Sequence, residues 1–219
     1  MRPDLDLELL LRTPPKLHGP EGATTDGWRL DDAALRFLDA HIRPDMRTIE
    51  TGAGVSTIAF ARKRTQHTCV VPDSLVVRRI RQYCSSARVR LDTVDFVVGR
   101  SEYALPRLRS GAYEFALIDG RHGFPAPFID WFYLADRLRQ GGIVLVDDTW
   151  IWTCHVLVRF LDADAGWQRF ARLPTSAAFV KTCDDAHHAE WVEQPFVYRQ
   201  SPAARFYPGK ARSRRGKPG

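Results

Sequence analysis

Two groups of residues have the types and spacing that chemistry requires: a glycine turn preceded by a carboxylate, and acids that end apolar segments. The turn lies in TIETGAGVST, residues 48–57, where Glu50 precedes Gly52 and Gly54. Glycines let a ligand approach the backbone closely, and the N-terminus of the helix that follows stabilises a carboxylate. Glu50 would repel a phosphate and attract a cation. The turn therefore predicts a ligand with both an ammonium group and a carboxylate.

The spacing of the turn argues against a dinucleotide as this ligand. A dinucleotide-binding turn reads GxGxxG and is followed by an acid about 20 residues later. Here Thr57 stands at the third glycine position, and the acid comes before the glycines. S-adenosylmethionine carries an ammonium group, a carboxylate and a neutral nucleoside. It is the ligand that we predict for the turn.

Acidic residues end the apolar segments EFALIDG and IVLVDD. They are Asp119, Asp147 and Asp148. Carboxylates that meet at one edge repel each other unless a cation neutralises them, and a hard ion such as Mg²⁺ takes oxygen ligands. Such an ion would also lower the pKa of a bound hydroxyl. We therefore predict a metal site at these three residues, with one alternative: Asp119 faces the cofactor and Asp148 caps the next helix.

The elements that position these residues alternate between strand and helix from residue 46 onward. Strands are predicted at 48–50, 67–71, 93–99, 114–120 and 143–148, and a closing antiparallel pair in WQRFARLP and SAAFVKT. A helix beginning at Pro127 is predicted to stop at Gly141 and Gly142. The pattern predicts an α/β fold, with a Rossmann-like, doubly wound, mostly parallel seven-stranded sheet that ends in the antiparallel pair. Ligands bind beyond the carboxyl ends of such strands.

Three motifs in order resemble the class I S-adenosylmethionine-dependent methyltransferases. They are ETGAGVST at 50–57, LIDGRHG at 117–123 and LRQGGIVLVDD at 138–148. Within that class the chain is most similar to the small O-methyltransferases in which DGxH is followed by GG and DD (methyltransferase domain 24-like). The resemblance implies methylation of a hydroxyl on a small molecule, of sugar or phenol type, with S-adenosyl-L-methionine as donor and Mg²⁺ as an assisting ion.

The resemblance also implies roles for individual residues. The cofactor-binding set is Glu50, Gly52, Gly54, Ser56, Asp73, Gly99, Ser101 and Asp119. The catalytic pair is His122 and Asp119, with His122 either the general base or a residue that holds Asp119 in place. Class members carry a ribose-binding acid at the end of the second strand, where this chain has Val71. Asp73 either reaches the ribose from a shifted position or is a turn carboxylate.

Composition sets the domain boundaries and the expected environment. The formal charge is +6 across 219 residues, and six basic residues with no acid lie after residue 204, so the remaining 26 basic residues balance the 26 acidic ones. We expect an N-terminal cap or substrate segment at 1–30, a methyltransferase domain at 31–200 and a basic, disordered tail at 201–219. Four scattered cysteines indicate reduced, mostly buried thiols. The start lacks the order of a signal peptide, and a cytoplasmic location is expected.

The expected partner is a small-molecule acceptor, and no membrane contact is expected. Any nucleic acid contacts are expected in the tail alone, and the expected assembly is a homodimer. Three other classes stay open at this point. One is a nicotinamide-dependent oxidoreductase on a similar sheet, against which Glu50 and the missing third glycine argue. The others are a nucleic-acid-directed methyltransferase and a non-catalytic relative that has lost the acid at Val71.

Overall fold

The computed structural model describes residues 5–19, 29–108, 111–183 and 189–207. Seven strands form one sheet in the order β3-β2-β1-β4-β5-β7-β6. The strands are β1 Arg47–Thr51, β2 Gln66–Val71, β3 Val94–Val98, β4 Tyr113–Ile118, β5 Leu138–Val146, β6 Trp167–Arg172 and β7 Ala177–Lys181. Strands β1 to β5 pair with one another in parallel, and β7 runs antiparallel to β5 and to β6. The predicted seven-stranded α/β sheet with a closing antiparallel pair is confirmed.

Helices connect the parallel strands and cover both faces of the sheet. They are α1 Leu7–Arg12, α2 Asp32–His41, α3 Val55–Arg62, α4 Ser74–Ala87, α5 Ser101–Ala104, α6 Ala126–Arg137, α7 Trp152–Ala163 and α8 Pro195–Gln200. Short 3₁₀ turns occupy Leu105–Arg107 and Pro202–Phe206. Among the described stretches, no helix has both the length and the apolar character that a membrane span requires.

The core consists of two apolar layers, one on each face of the sheet. Along β4, Phe115 and Leu117 pack into the layer under α2, α3 and α4, whereas Ala116 and Ile118 pack into the layer under α6 and α7. This division follows from the strand geometry, because successive side chains point to opposite faces. Both faces of the central strands are covered, which explains why these strands are apolar throughout.

One predicted boundary is wrong. The helix predicted to stop at Gly141 and Gly142 ends at Arg137, and Leu138 already pairs with Tyr113 of β4. Gly141 has φ +77°, and a Cβ on Gly142 would lie 2.8 Å from Leu138 Cγ. The two glycines therefore belong to an irregular stretch at the start of β5, where pairing with β4 overrides the local helical pattern.

The segments before and after the predicted domain also pack against it where they are described. Leu10, Leu11 and Leu17 of the N-terminal segment are buried in the same layer as α2 and α3. At the other end, the Tyr198 hydroxyl donates a hydrogen bond to Tyr207 O at 2.8 Å. The disordered tail predicted from residue 201 is therefore wrong for 202–206, which form a 3₁₀ turn, and the rest of it, 208–219, lies outside the described residues. Residues 20–28 of the predicted substrate segment also lie outside the described residues.

Candidate active site

The glycine turn connects β1 to α3 at the carboxyl edge of the sheet. Gly52 has φ +90°, a conformation that L side chains avoid, and a Cβ there would overlap the backbone oxygen of Asp119. Gly54 is the N-cap of α3. Its amide N–H donates to Thr57 Oγ1 at 3.1 Å. The turn thus packs directly against the end of β4, and this brings the first motif next to the second.

Glu50 lies beneath this turn and is fully buried. Its carboxylate accepts hydrogen bonds from Ser56 Oγ at 2.7 Å and from Thr57 Oγ1, and it lies 3.1 Å from His67 Nε2. The structure therefore differs from the expected arrangement, in which Glu50 stands at the entrance and attracts a cation. Ser56 likewise turns toward Glu50. Both side chains fix the path of the turn from below.

His67 on β2 completes this buried network. Its Nδ1 lies 2.9 Å from Thr48 Oγ1, and Phe60 stacks on its ring with centroids 4.0 Å apart. Cys69 lies close enough for Glu50, His67 and Cys69 to form a possible ligand group. The carboxylate already has two hydroxyl donors and an imidazole partner, so we assign the group a structural role.

A second group of ligand atoms lies at the ends of β4 and β5. Oxygen or nitrogen atoms of Asp119, His122 and Asp148 all lie within 4.8 Å of one another. His122 Nε2 is 3.2 Å from Asp148 Oδ2 and 4.0 Å from Asp119 Oδ1. The sequence placed Asp119 and Asp148 in the metal set and His122 beside it. The structure brings these three together.

Asp147 does not belong to this group. It is buried, and its Oδ1 accepts hydrogen bonds from Thr175 Oγ1 at 3.3 Å and from Ser176 Oγ. Burial raises the pKa of Asp147 to about 6, although the Ser176 hydroxyl opposes the shift. Asp147 therefore ties β5 to the loop before β7. The alternative in which Asp148 caps the next helix is also excluded, because α7 has Ile151 as its N-cap.

Within the described residues, the charges that act most strongly on Asp119 are all negative. Burial raises the pKa of Asp119 well above its usual value, and the charges of Asp147, Glu50 and Asp148 raise it further. Burial lowers the pKa of His122, and Asp148 opposes this shift. His122 is therefore neutral near pH 7, and it does not supply the positive charge that the acids would need.

The remaining predicted cofactor residues lie along the same edge. Gly99 follows β3 and donates its N–H to Val71 O at 2.9 Å. Ser101 begins α5. Asp73 caps α4, with Oδ1 accepting from Leu75 N at 2.8 Å, which is the role of a turn carboxylate. Val71, where class members have an acid, is buried at the end of β2.

Asp130 of α6 is a buried carboxylate that the sequence analysis did not place in the site. It lies beneath the edge, with Oδ2 3.1 Å from the Cβ position of Gly120. No described side chain makes a well-formed hydrogen bond to it, although Thr51 and Ser101 lie near enough to lower its pKa in part. Burial dominates and raises the pKa of Asp130 to about 6. An amphipathic pattern alone cannot reveal it, because the acid sits on the buried face of the helix.

Asp130→Asn is expected to change how stability depends on pH. The folded state binds a proton on the Asp130 carboxyl more tightly than the unfolded chain does, because an Asp in the unfolded chain has a pKa of about 3.9. The stability that the proton contributes is thus present below about pH 4 and lost as the pH rises through about 6. Relative to the variant, the wild type should lose roughly 2 kcal/mol of unfolding free energy between pH 4 and pH 7. Urea unfolding at pH 4, 5, 6 and 7 measures this difference.

The exposed Asp45 provides the matched control, because Asp45→Asn makes the same chemical change in solvent. That variant should follow the wild-type pH curve. Parallel curves for wild type and Asp130→Asn would contradict the assignment of a proton to buried Asp130.

Comparison with known proteins gives one family-model match and several structures of the same fold. Residues 49–149 match a family model described as a methyltransferase domain. No curated protein sequence matches the chain. Among solved structures, the cofactor-bound protein Rv0187 from MTB is 18% identical with a TM-score of 0.62, over 71% of this chain and 83% of that one.

Two further structures have the same fold at similar identity. The O-methyltransferase TomG from Streptomyces achromogenes, in complex with SAM, is 16% identical with a TM-score of 0.57, over 71% of this chain and 82% of that one. Precorrin-6y C5,15-methyltransferase from Geobacter metallireducens GS-15 is 14% identical with a TM-score of 0.58, over 74% and 94%. Residues 49–149 therefore resemble a methyltransferase domain in sequence, and the chain shares its fold with these solved structures.

Proposed function

We propose that the protein transfers a methyl group from S-adenosylmethionine to a hydroxyl of a small molecule, with a divalent cation held by Asp119, His122 and Asp148. The observation that carries this proposal is the position of the cluster. Its ligand atoms lie within 4.8 Å of one another, and Asp119 contacts the glycine turn through its backbone oxygen. Donor site and cluster therefore share the end of β4.

The donor is proposed to bind along the carboxyl edge of β1, β2 and β3. Gly52 and Gly54 permit close approach to the backbone, and Gly99 and Ser101 border the place proposed for the adenine. Asp73 is proposed for the ribose, through the carboxylate oxygen that does not cap α4. Glu50 and Ser56 act indirectly here, by holding the turn in shape.

The residues of the cluster fit a divalent ion. His122 Nε2 is inaccessible to solvent and makes no well-aligned hydrogen bond among the described residues, and Asp119 and Asp148 repel each other. A cation would satisfy the imidazole nitrogen and remove that repulsion. The sequence predicts three carboxylate ligands, whereas here an imidazole takes the place of the third. A ligand set that contains this nitrogen suits Mn²⁺ or Zn²⁺ better than a set made only of oxygen ligands. In this proposal His122 is a ligand and not the general base.

The chemistry is a displacement at the methyl carbon. The acceptor oxygen attacks that carbon, the bond from carbon to sulfur breaks to release S-adenosylhomocysteine, and the hydroxyl proton passes to solvent water. A bound cation would lower the pKa of the acceptor hydroxyl. The chain itself contributes alignment, because the glycine turn and the cluster are fixed relative to each other by the contact between Gly52 and Asp119.

Aromatic side chains beside the cluster are proposed as the acceptor wall. Phe124, Trp150 and Trp152 are 73%, 74% and 69% exposed. Trp150 Nε1 donates a hydrogen bond to Asp148 Oδ1 at 2.8 Å, which ties the indole to the cluster. Exposed indole rings of this kind stack on a phenol or a sugar ring.

Calorimetry and a transfer assay test the proposal. We expect the wild type to bind S-adenosylmethionine and S-adenosylhomocysteine and not NAD. With labelled S-adenosylmethionine and a panel of phenols and sugars, we expect transfer that EDTA stops and Mn²⁺ restores. Absence of donor binding would contradict methyl transfer altogether. Transfer that EDTA does not slow would contradict only the metal role.

A further inference from the structure

The N-terminal segment reaches the glycine turn although it lies outside the residues that match the family. Helix α1 is joined to α2 by the ion pair of Glu8 with Arg36, and Leu10, Leu11 and Leu17 are buried. The segment after α1 continues to Gly19, whose carbonyl contacts Arg79 of α4. This part of the chain is therefore a fixed component of the domain.

The end of the segment is held by one side chain from α4. Arg79 Nη1 donates hydrogen bonds to Leu17 O and to Gly19 O, both at 2.9 Å. These two bonds bracket His18 and fix the backbone on either side of it. His18 can therefore present its ring to the turn in a defined direction.

The His18 ring lies beside the glycine turn at Gly54. It hydrogen-bonds the Ala53 backbone, and its Nε2 lies 3.5 Å from the Cβ position of Gly54. No other described atom lies within 4 Å of that position. A ligand that approaches Gly54 closely, as the missing side chain permits, therefore meets the imidazole.

The buried position of Glu50 leaves a role for this imidazole. The Glu50 carboxylate is occupied by Ser56, Thr57 and His67 below the turn, so it cannot contact an ammonium group above it. The amino-acid end of the donor then needs polar partners on the upper side. His18 is half-buried there, and burial together with Arg79 lowers its pKa.

We propose that His18 binds the α-amino-acid end of S-adenosylmethionine and that Arg79 is a positioning residue that holds His18 in place. The assignment rests on the proposed donor site. Against the lowering by burial, the Ala53 contact raises the pKa of His18, as expected for a ring N–H that donates to the Ala53 carbonyl. The second nitrogen of a neutral imidazole can then accept a hydrogen bond from the ammonium group, and the nearby Arg79 adds a positive charge that favours the carboxylate of the same end.

The test compares two ligands that differ only at that end. S-adenosylhomocysteine carries the amino-acid group, whereas 5′-methylthioadenosine lacks it. For His18→Ala, calorimetry should show about 10-fold or greater loss of S-adenosylhomocysteine affinity, the effect of one lost polar contact, and 5′-methylthioadenosine affinity within about twofold of wild type. The matched control is His155→Ala, at an exposed position on α7, which should leave both affinities unchanged.

Arg79→Gln tests the positioning role through coupling. As a single substitution it should weaken S-adenosylhomocysteine binding. In the His18→Ala background it should cause little further loss of affinity. In the unmodified protein, the magnetic resonance signals of the His18 ring nitrogens should shift on addition of S-adenosylhomocysteine and stay in place with 5′-methylthioadenosine. This measurement needs no variant, so it does not depend on whether a variant folds.

Two results would overturn the assignment: unchanged S-adenosylhomocysteine affinity in His18→Ala, or equal loss for both ligands. Equal loss would mean that His18 only shapes the turn. Failure of the wild type to bind S-adenosylhomocysteine is a different result, because it would remove the donor site itself.

Discussion

Gly52→Ala is expected to abolish S-adenosylhomocysteine binding and to lower the free energy of unfolding by about 2–4 kcal/mol. Two effects combine at this position. The backbone has φ +90°, and the new Cβ would overlap Asp119 O and lie 2.8 Å from Asp119 C. Because the obstacle is backbone, no rotamer change relieves it, and the turn must move away from β4. Urea unfolding and calorimetry with S-adenosylhomocysteine measure the two effects.

Two other glycines separate the causes. Gly141 has φ +77° with no described atom within 4 Å of its Cβ position, so Gly141→Ala carries the backbone strain alone. Gly123 has neither a positive φ nor a neighbour. We expect Gly141→Ala to lose about 1–2 kcal/mol of stability and to keep donor affinity, and Gly123→Ala to resemble wild type. Wild-type donor affinity in Gly52→Ala would contradict the placement of the donor at this turn.

Asp119→Asn is expected to abolish binding of a divalent cation while it raises the melting temperature of the metal-free protein. Burial and the neighbouring acids raise the pKa of Asp119, so its charged form destabilises the fold near neutral pH. Asparagine removes that charge without a change of shape. The same substitution removes a ligand, and Mn²⁺ affinity should fall by at least ~100-fold. Electron paramagnetic resonance of Mn²⁺ and thermal unfolding in EDTA give the two readouts.

The adjacent acids of β5 form the matched pair for this experiment. Asp148 has φ +51°, which asparagine tolerates, so Asp148→Asn tests the ligand without backbone strain and should also lose Mn²⁺ binding. Asp147→Asn should keep Mn²⁺ affinity within a few-fold, because its side chain faces Ser176. Loss of Mn²⁺ binding in Asp147→Asn but not in Asp148→Asn would contradict the assignment of Asp148 as the ligand from this pair.

The sequence by itself determined the order of the elements and the edge of the sheet on which chemistry occurs. Strands β4 and β5 are identified by short apolar runs, and β1 by the glycine turn that ends it. Asp119 and the Asp147–Asp148 pair follow the two apolar runs directly. This information is local, since a residue that follows a parallel strand must lie at its carboxyl end. The helix stop expected at Gly141 was wrong because strand pairing with Tyr113 is a long-range contact.

Only the tertiary structure decided where the polar side chains point and which of them meet. The Glu50 side chain points beneath the glycine turn because hydroxyls of α3 and the imidazole of β2 lie there. The Asp147 side chain faces Ser176 in the loop before β7. His18 reaches Gly54 because Arg79, some 60 residues away in sequence, holds its segment. Each of these directions depends on partners supplied by other elements, and the spacing of residues along a chain carries no information about such partners.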